Sequence, residues 1–198
     1  MAVILDIFHR FDPANWQTSR PTSTGTAVLI TWTVAPAPVD AGIPVCVARV
    51  IAEALCSLGA VIYAGDDKDE RFRCAADVVI WRGLRRFKLA LFCASSAVQL
   101  LPAFTSAMHD WSMNAQWLVV TDSTTVENGV IAVVKTLYED WTLPDQWPPG
   151  VIMIVQAAVD GDGAACFSAN KSTDERFVQA LGGSARATGM ELRIDPET

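Results

Sequence analysis

The chain has 198 residues, a length that suits one domain with a large core, and 51% of them are hydrophobic against 19% charged. Average soluble domains carry about 45–50% apolar and about 25% charged residues, so either the core is large or a partner covers part of the surface. The formal net charge of −7 argues against wholesale electrostatic binding to nucleic acid or anionic lipid, since both need a basic face, and we expect a protein partner or self-association.

The predicted secondary structure begins with apolar strands and then alternates between strands and helices. Runs rich in β-branched residues predict strands, and apolar residues at helical spacing predict helices. In chain order, the sequence predicts strands at residues 2–8 and 26–34, a helix at 40–59, strands at 60–64, 77–81 and 88–93, a helix from 95 or 96, a strand at 116–121, a helix from 124, strands at 151–159 and 164–168, a helix from 172, and a short strand at 191–194.

Capping signals locate the ends of the helices. Asp40 is expected to cap the first helix, and residues 124–127 and 172–175 have the Thr-x-x-Glu and Ser-x-x-Glu patterns of capping boxes. Gly182 and Gly183 are expected to end the last helix, because glycine is favoured just beyond a helix end.

These elements predict an α/β fold, with an α+β character at the N-terminal end of the chain. Strands that are continuously apolar indicate a sheet covered on both faces. We therefore expect a mixed, largely buried sheet flanked by about four helices. Residues 1–198 are expected to form a single domain, in which the Pro/Trp-rich connector at residues 143–150 is the one candidate seam.

The five cysteines are scattered along the chain without any C-x-x-C pair, and most have apolar neighbours. An odd number of cysteines without metal-binding spacing predicts neither a disulfide framework nor a zinc site. We expect reduced core thiols, no metal and no cofactor. These thiols are typical of an intracellular protein, either cytoplasmic or part of a particle assembled in the cytoplasm.

Two apolar segments could be mistaken for targeting or membrane segments. The N-terminal run contains Asp6 and has no basic leader, so it predicts a strand and not a signal peptide. Residues 87–104 approach the length of a membrane span but include Lys88, Gln99 and Pro102. A strand, a turn and a helix explain this segment better, and we expect no transmembrane segment.

Short polar residues follow two of the predicted strands. In an open α/β sheet, ligands bind beyond the carboxyl ends of the strands, where helix N-termini present free N–H groups. A phosphate or carboxylate could bind there, with Asp66 or Asp67 contributing from the preceding edge. The competing explanation is that these residues are simply preferred N-caps, and no glycine-rich phosphate-binding motif accompanies them. The candidate ligand-binding residues are Ser95, Ser96, Asp122, Ser123 and Thr124.

The charged residues between positions 66 and 88 are unevenly distributed. An acidic run is followed directly by a basic cluster that includes one tryptophan. A solvated loop next to a charged face explains this pattern, and the sharper interpretation is a patch that docks a partner of opposite sign. The candidate interaction patch consists of Asp66, Asp67, Asp69, Glu70, Arg71, Arg73, Trp81, Arg82, Arg85, Arg86 and Lys88.

The sequence contains few residues in arrangements that indicate catalysis. His9 and His109 are the chain's two histidines, and neither has a sequence neighbour that completes a known catalytic arrangement. Cys166 follows a glycine-rich turn, which fits either an exposed nucleophile or a core thiol on the return strand of a hairpin. We predict no catalytic residue.

Three hypotheses for the function remain. The first is a non-catalytic interaction or structural subunit of a virion, phage particle or other homo-oligomeric assembly. It is favoured by the low charge and by the seven tryptophans, a residue type enriched at interfaces. The second is a small α/β enzyme or binding domain for a phosphorylated or carboxylated ligand. The third is an acidic immunity or inhibitor protein that neutralises a basic partner.

Overall fold

The computed structural model describes residues 2–9, 26–35, 44–66, 70, 77–81, 89–109, 117–122, 128–139, 143–159 and 163–195. Within these ranges one sheet is flanked by helices on both faces. The strands are β1 (Ala2–His9), β2 (Thr26–Ala35), β3 (Ala60–Asp66), β4 (Asp77–Trp81), β5 (Leu89–Ala94), β6 (Trp117–Thr121), β7 (Val151–Val159), β8 (Gly163–Ser168) and β9 (Glu191–Ile194). The helices are α1 (Val45–Leu58), α2 (Ala97–His109), α3 (Asn128–Glu139) and α4 (Lys171–Ala187).

The strands form one nine-stranded sheet in the order β4-β5-β3-β6-β7-β8-β2-β1-β9. The pairings between neighbours are antiparallel except for that of β1 with β9, which is parallel. The sheet is therefore mixed, and the predicted α/β fold with flanking helices is confirmed. At the two ends of the sheet lie β4 and β9.

Two hydrophobic clusters lie on opposite faces of the sheet. Helices α1, α2 and α4 pack against one face and form the larger cluster with inward residues of most strands. Helix α3 packs against the other face, together with Leu143 and Trp147 of the connector. Because β6 and β8 lie between the two clusters, every residue of these strands is buried.

Strands β1 and β2 differ from the central strands because burial alternates along them. Val3, Leu5 and Ile7 of β1 are buried in the larger cluster, while Ile4 between them is only partly buried. Strand β2 shows the same alternation. Helix α3 contacts β3 and β6, near the middle of the sheet. Within the described ranges, cover on both faces therefore holds for the central strands, and on the second face it reaches β2 only at Ala27.

The start of α4 differs from the expectation. The sequence predicts a capping box at residues 172–175, but the N-cap is Asn170, whose side-chain oxygen accepts a hydrogen bond of 3.0 Å from the N–H of Thr173. The helix begins directly after this residue, because an asparagine side chain satisfies a free N–H of the first turn as well as serine does. The cap expected at Asp40 is wrong, because α1 begins at Val45 with Pro44 as its N-cap and has no side-chain cap hydrogen bond. The cap expected at residues 124–127 lies outside the described ranges.

The end of α4 also differs from the expectation. The helix continues through Gly182 and Gly183 to Ala187. A Cβ on Gly182 would lie 3.2 Å from a methyl carbon of Leu192, so this glycine allows close packing of the helix on β9. The turn beyond the helix is made at Gly189, which has a φ of +72°.

The apolar segment at residues 87–104 divides as the sequence predicts. Its described part contains β5, a bend at Ser95 and Ser96, and the beginning of α2. Within the ranges that the structure describes, no helix is both long and apolar enough to cross a membrane.

Candidate interaction surface

The structure brings three of the candidate ligand-binding residues to the same end of the sheet. Strands β5 and β6 both run antiparallel to β3, so their last residues, Ala94 and Thr121, flank the start of β3. Ser95 and Ser96 follow the first of these strands, and Asp122 follows the second. The two loops are therefore separated by the width of one strand.

Asp66, which was expected beside these loops, does not join them. Asp66 is the last residue of β3 and pairs with Leu89 at the beginning of β5, so it lies at the opposite end of the sheet. This separation follows from the antiparallel pairing, because carboxyl ends meet at one edge only when strands are parallel. Asp67, Ser123 and Thr124 lie outside the part of the chain that the structure describes.

The two serines are held by the side chain of Gln99. Its Oε1 accepts a bond of 2.9 Å from the backbone N–H of Ser95 and bonds of 3.1 and 3.3 Å from the hydroxyls of Ser95 and Ser96. The carbonyl of Ser96 accepts from the N–H of Leu100. This arrangement is a helix cap, and the oxygen of Gln99 occupies donors that a bound anion would need.

Asp122 helps to hold the connector at the end of β6. Its N–H donates a hydrogen bond of 3.0 Å to the carbonyl of Gly150, and its side chain is exposed. Gly150 has a φ of +81°, and a Cβ at this residue would lie 3.3 Å from Oδ1 of Asp122. The described contacts of Asp122 are thus those of a turn that joins the connector to the sheet.

The thiols of Cys166 and Cys56 lack the properties of a nucleophile. Cys166 is fully buried, and burial together with the nearby carboxylate of Asp174 holds the pKa of its thiol far above the usual range. Burial, with a smaller effect from Cys93, raises the pKa of the Cys56 thiol to about 11. A reactive cysteine needs a lowered pKa and access, so Cys166 is a core thiol on the return strand of the hairpin.

The two histidines and the possibility of a metal site gain no support from the described part of the structure. His9 ends β1 and His109 ends α2, and their side chains lie outside the described residues. The described residues contain no group of three or more His, Cys, Asp or Glu side chains that could hold a metal ion.

The candidate interaction patch is described only at a few positions. Asp66 pairs with Leu89 and Trp81 pairs with Ala90, so the ends of β3 and β4 lie at the same end of the sheet. The acidic and basic runs therefore leave the sheet near each other, and Glu70 is exposed. The residues outside the described ranges are Asp67, Asp69, Arg71, Arg73, Arg82, Arg85, Arg86 and Lys88.

The face of β1 and β2 that points away from the larger cluster carries apolar side chains. Phe8 is 37% exposed and lies opposite Leu29, which is partly exposed. Ile4 is also partly exposed and lies opposite a threonine. We call this surface the open face. It consists of Ile4, Asp6, Phe8, Leu29, Thr31 and Thr33.

Strand β9 continues the open face to the end of the sheet. Glu191 lies beside Ile4, and Arg193 lies beside Asp6. The Nε of Arg193 and the Oε1 of Glu191 are 2.7 Å apart, and both side chains are more than half exposed. This hydrogen bond raises the pKa of Arg193, and the carboxylate of Asp6 acts in the same direction. Charges of both signs therefore border the apolar residues of the open face.

An open groove lies where β1 and β9 end. Its lining includes Ile194, which is 49% exposed. The N–H of Asp195 donates a hydrogen bond of 2.9 Å to the carbonyl of Ile7 and closes the pairing of the two strands. The residues that line the groove are Asp6, Ile7, Phe8, Arg193, Ile194 and Asp195.

The sequence contains one signal for the open face that strand prediction overlooks. Asp6 stands in the middle of the apolar run of β1, two residues from both Ile4 and Phe8. Side chains at this spacing share a face of a strand, and a carboxylate is rarely buried without a partner. Asp6 therefore marks the face of β1 that points away from the core.

No protein-family model matches this chain. Comparison with curated proteins and with solved structures likewise finds no match.

Proposed function

We propose that the protein is a non-catalytic interaction subunit that associates with other copies of itself, as the subunits of a virion, phage particle or other homo-oligomeric particle do. The observation that carries the proposal is the open face, where Ile4, Phe8 and Leu29 remain partly exposed beside a well-buried core. An antiparallel strand pair with one face in water normally carries polar residues on that face. Apolar residues at these positions are typical of a surface that a partner covers.

Two of the three apolar residues of the open face are adjacent to each other. Phe8 and Leu29 are directly opposite across the β1 and β2 ladder, where cross-strand side chains are about 4.5–5.5 Å apart at Cβ. Covering such a pair removes apolar surface from water, which contributes about 25 cal/mol per Å². An aromatic ring at the centre of a contact is also a common source of binding energy.

The charges around the open face favour a second copy as the partner. Asp6, Glu191 and Arg193 supply both signs within a short distance. A partner of single sign would oppose one of these charges, whereas a second copy presents the same mixture and can match it under two-fold symmetry. A polar rim around an apolar centre is the usual anatomy of a protein interface.

The other two hypotheses have no comparable support among the described residues. The N–H and hydroxyl of Ser95 and the hydroxyl of Ser96 are bonded to Gln99, so these three donors do not favour the ligand-binding hypothesis. The acidic run that an inhibitor of a basic protein would use lies mostly outside the described ranges.

The test is the molar mass of the protein by light scattering over a range of concentrations. We expect a mass above that of the monomer that rises with concentration, and we expect Phe8→Lys to lower it. Val98→Lys is the matched control, because Val98 is an exposed apolar residue on α2, away from the open face, with 75% exposure. Circular dichroism confirms that both variants fold. A wild-type protein that is monomeric at all concentrations would overturn the proposal.

A further inference from the structure

We infer that two copies of the protein pair through β9, whose strands lie antiparallel across a two-fold axis with Leu192 opposite Leu192 of the partner subunit. This inference rests on the proposed self-association and adds a second contact, at the edge of the sheet, that is separate from the open face. Within the described part of the chain, β9 is an outer strand of the sheet. An outer strand offers unpaired backbone groups to another chain.

The backbone groups available on β9 follow from its pairing with β1. Ile7 lies opposite Ile194, and the N–H of Asp195 donates to the carbonyl of Ile7. In a parallel ladder a residue bonds to the two neighbours of its opposite residue, so Arg193 and Asp195 direct their backbone groups toward β1. The N–H and C=O groups of Leu192 and Ile194 consequently point away from the sheet, in the direction of a second copy.

The charges of β9 favour a register centred on Leu192 over registers centred on Glu191 or on Arg193. Antiparallel pairing centred on Leu192 places Glu191 opposite Arg193 of the partner subunit, and the symmetry repeats the same pair. Pairing centred on Glu191 or on Arg193 would place like charges opposite each other, which is unfavourable. In this register the N–H and C=O groups of Leu192 bond to those of Leu192 in the partner subunit, which agrees with their outward direction.

The exposed ion pair of one copy then becomes part of a larger network. Arg193 and Glu191 already lie 2.7 Å apart within each chain, with side-chain exposures of 57% and 58%. Residues in the pairs next to the hydrogen-bonded centre approach to about 4.5 Å at Cα, so each carboxylate would lie between two guanidinium groups. Networks of alternating charge contribute more than isolated surface pairs.

The same register covers an exposed apolar residue. Ile194 is 49% exposed and would lie opposite Met190 of the partner subunit, a residue that is buried within its own chain. Helix α4 packs on β9 through the contact of Gly182 with Leu192. The two-fold axis therefore brings the α4 helices of both copies to the same side of the joined sheets.

The opposite end of the sheet is less suited to such pairing. The ladder of β4 with β5 has a register shift between Val78 and Ile80, and irregularities of this kind disfavour pairing at a sheet edge. The described ladder of β1 with β9 runs from Ile4 to Ile7 without a shift.

Charge reversal tests the register. Arg193→Glu or Glu191→Arg alone places like charges opposite each other in both symmetric pairs, and we expect the dimer dissociation constant, measured by sedimentation velocity, to rise about tenfold or more. The double variant Glu191→Arg with Arg193→Glu restores opposite charges, and we expect it to recover dimer formation. All three variants change exposed side chains only, so we expect each of them to keep the fold of the monomer.

A proline at the edge tests the backbone pairing. Ile194→Pro removes an N–H that points away from β1 and should abolish the dimer, while Ile194→Ala keeps that N–H and should retain it. A wild-type protein that never self-associates overturns both the proposed function and this inference. A protein that self-associates while Arg193→Glu leaves the mass unchanged, or while the double variant remains monomeric, overturns the β9 pairing alone.

Discussion

The hydroxyl of Tyr138 donates a hydrogen bond of 2.8 Å to the backbone carbonyl of Trp117. The same hydroxyl oxygen accepts from the N–H groups of Trp117 and Ala64, at 3.3 and 3.4 Å. The ladder between β3 and β6 ends at the pair Tyr63 and Leu118, so the hydroxyl lies where the next rung would join Ala64 to Trp117. Tyr138 thereby fixes α3 to the centre of the sheet by satisfying backbone groups of two strands.

Tyr138→Phe is expected to lower the free energy of unfolding by about 1–3 kcal/mol, because it leaves the buried carbonyl of Trp117 without this donor. Chemical denaturation followed by tryptophan fluorescence measures the loss. Tyr63→Phe is the matched control, since Tyr63 is the only other tyrosine of the chain and its hydroxyl makes a longer bond of 3.3 Å to the carbonyl of Gln99. A loss of equal size in both variants would contradict the role given to Tyr138.

Gly59 lies against the backbone at the end of β6, where an added Cβ would overlap the carbonyl oxygen of Thr121. Gly59→Ala should therefore force the start of β3 away from β6 and lower stability by about 2 kcal/mol or more. Gly183→Ala is the control, because a Cβ at this helical position meets no atom within 4 Å, and it should raise stability by about 0.5–1 kcal/mol. Thermal unfolding shows whether each variant is less or more stable than the wild type. Equal midpoints for the two variants would refute the close contact of Gly59 with Thr121.

Alkaline pH should destabilise the protein through its buried thiols and hydroxyls. Burial raises the pKa of Cys56 from 9.0 to about 11, so the folded state keeps the proton that the unfolded chain releases. The contribution of the protonated Cys56 thiol to stability is fully present below pH 9 and is lost as the pH rises toward 11. We expect the midpoint of thermal unfolding to fall over this interval.

The contribution of Cys56 to this pH dependence can be separated from the others. Burial also raises the pKa values of Cys166, Tyr63 and Tyr138. Each of these groups therefore destabilises the folded protein as the pH rises above the ordinary pKa of that group. In Cys56→Ala the midpoint of thermal unfolding should fall less steeply between pH 9 and pH 11. The steeper loss of stability at higher pH should remain. An unchanged slope in this variant would show that Cys56 does not titrate as its burial requires.

The sequence predicts the strands better than it predicts their arrangement. Apolar runs locate β1, β6 and β7 closely because a buried strand needs consecutive apolar residues wherever it lies in the sheet. The antiparallel pairing of β3 with both of its neighbours depends on contacts between distant residues, and no local pattern records it. For the same reason, the sequence grouped Asp66 with the loops after β5 and β6, whereas the sheet separates them.

The candidate surface was partly visible in the sequence. Asp6 within an apolar run marks the open face, but the sequence gives no sign that α3 stops short of β1 and β2. The exposure of Phe8 depends on which strands that helix covers. Glu191 and Arg193 show a simple alternation of charge, and their significance comes from the position of β9 at the end of the sheet.

The start of α4 offers a direct comparison between a sequence pattern and the observed cap. Asn170 accepts hydrogen bonds from the N–H and the hydroxyl of Thr173, at 3.0 and 3.2 Å, whereas Ser172 is an exposed residue inside the first turn. Asn170→Ala should cost about 0.5–2 kcal/mol because a free N–H loses its acceptor. Ser172→Ala should change stability little, since alanine is a better helix former than serine. Urea unfolding of both variants measures the difference, and a larger loss for Ser172→Ala would show that the helix begins at the capping box after all.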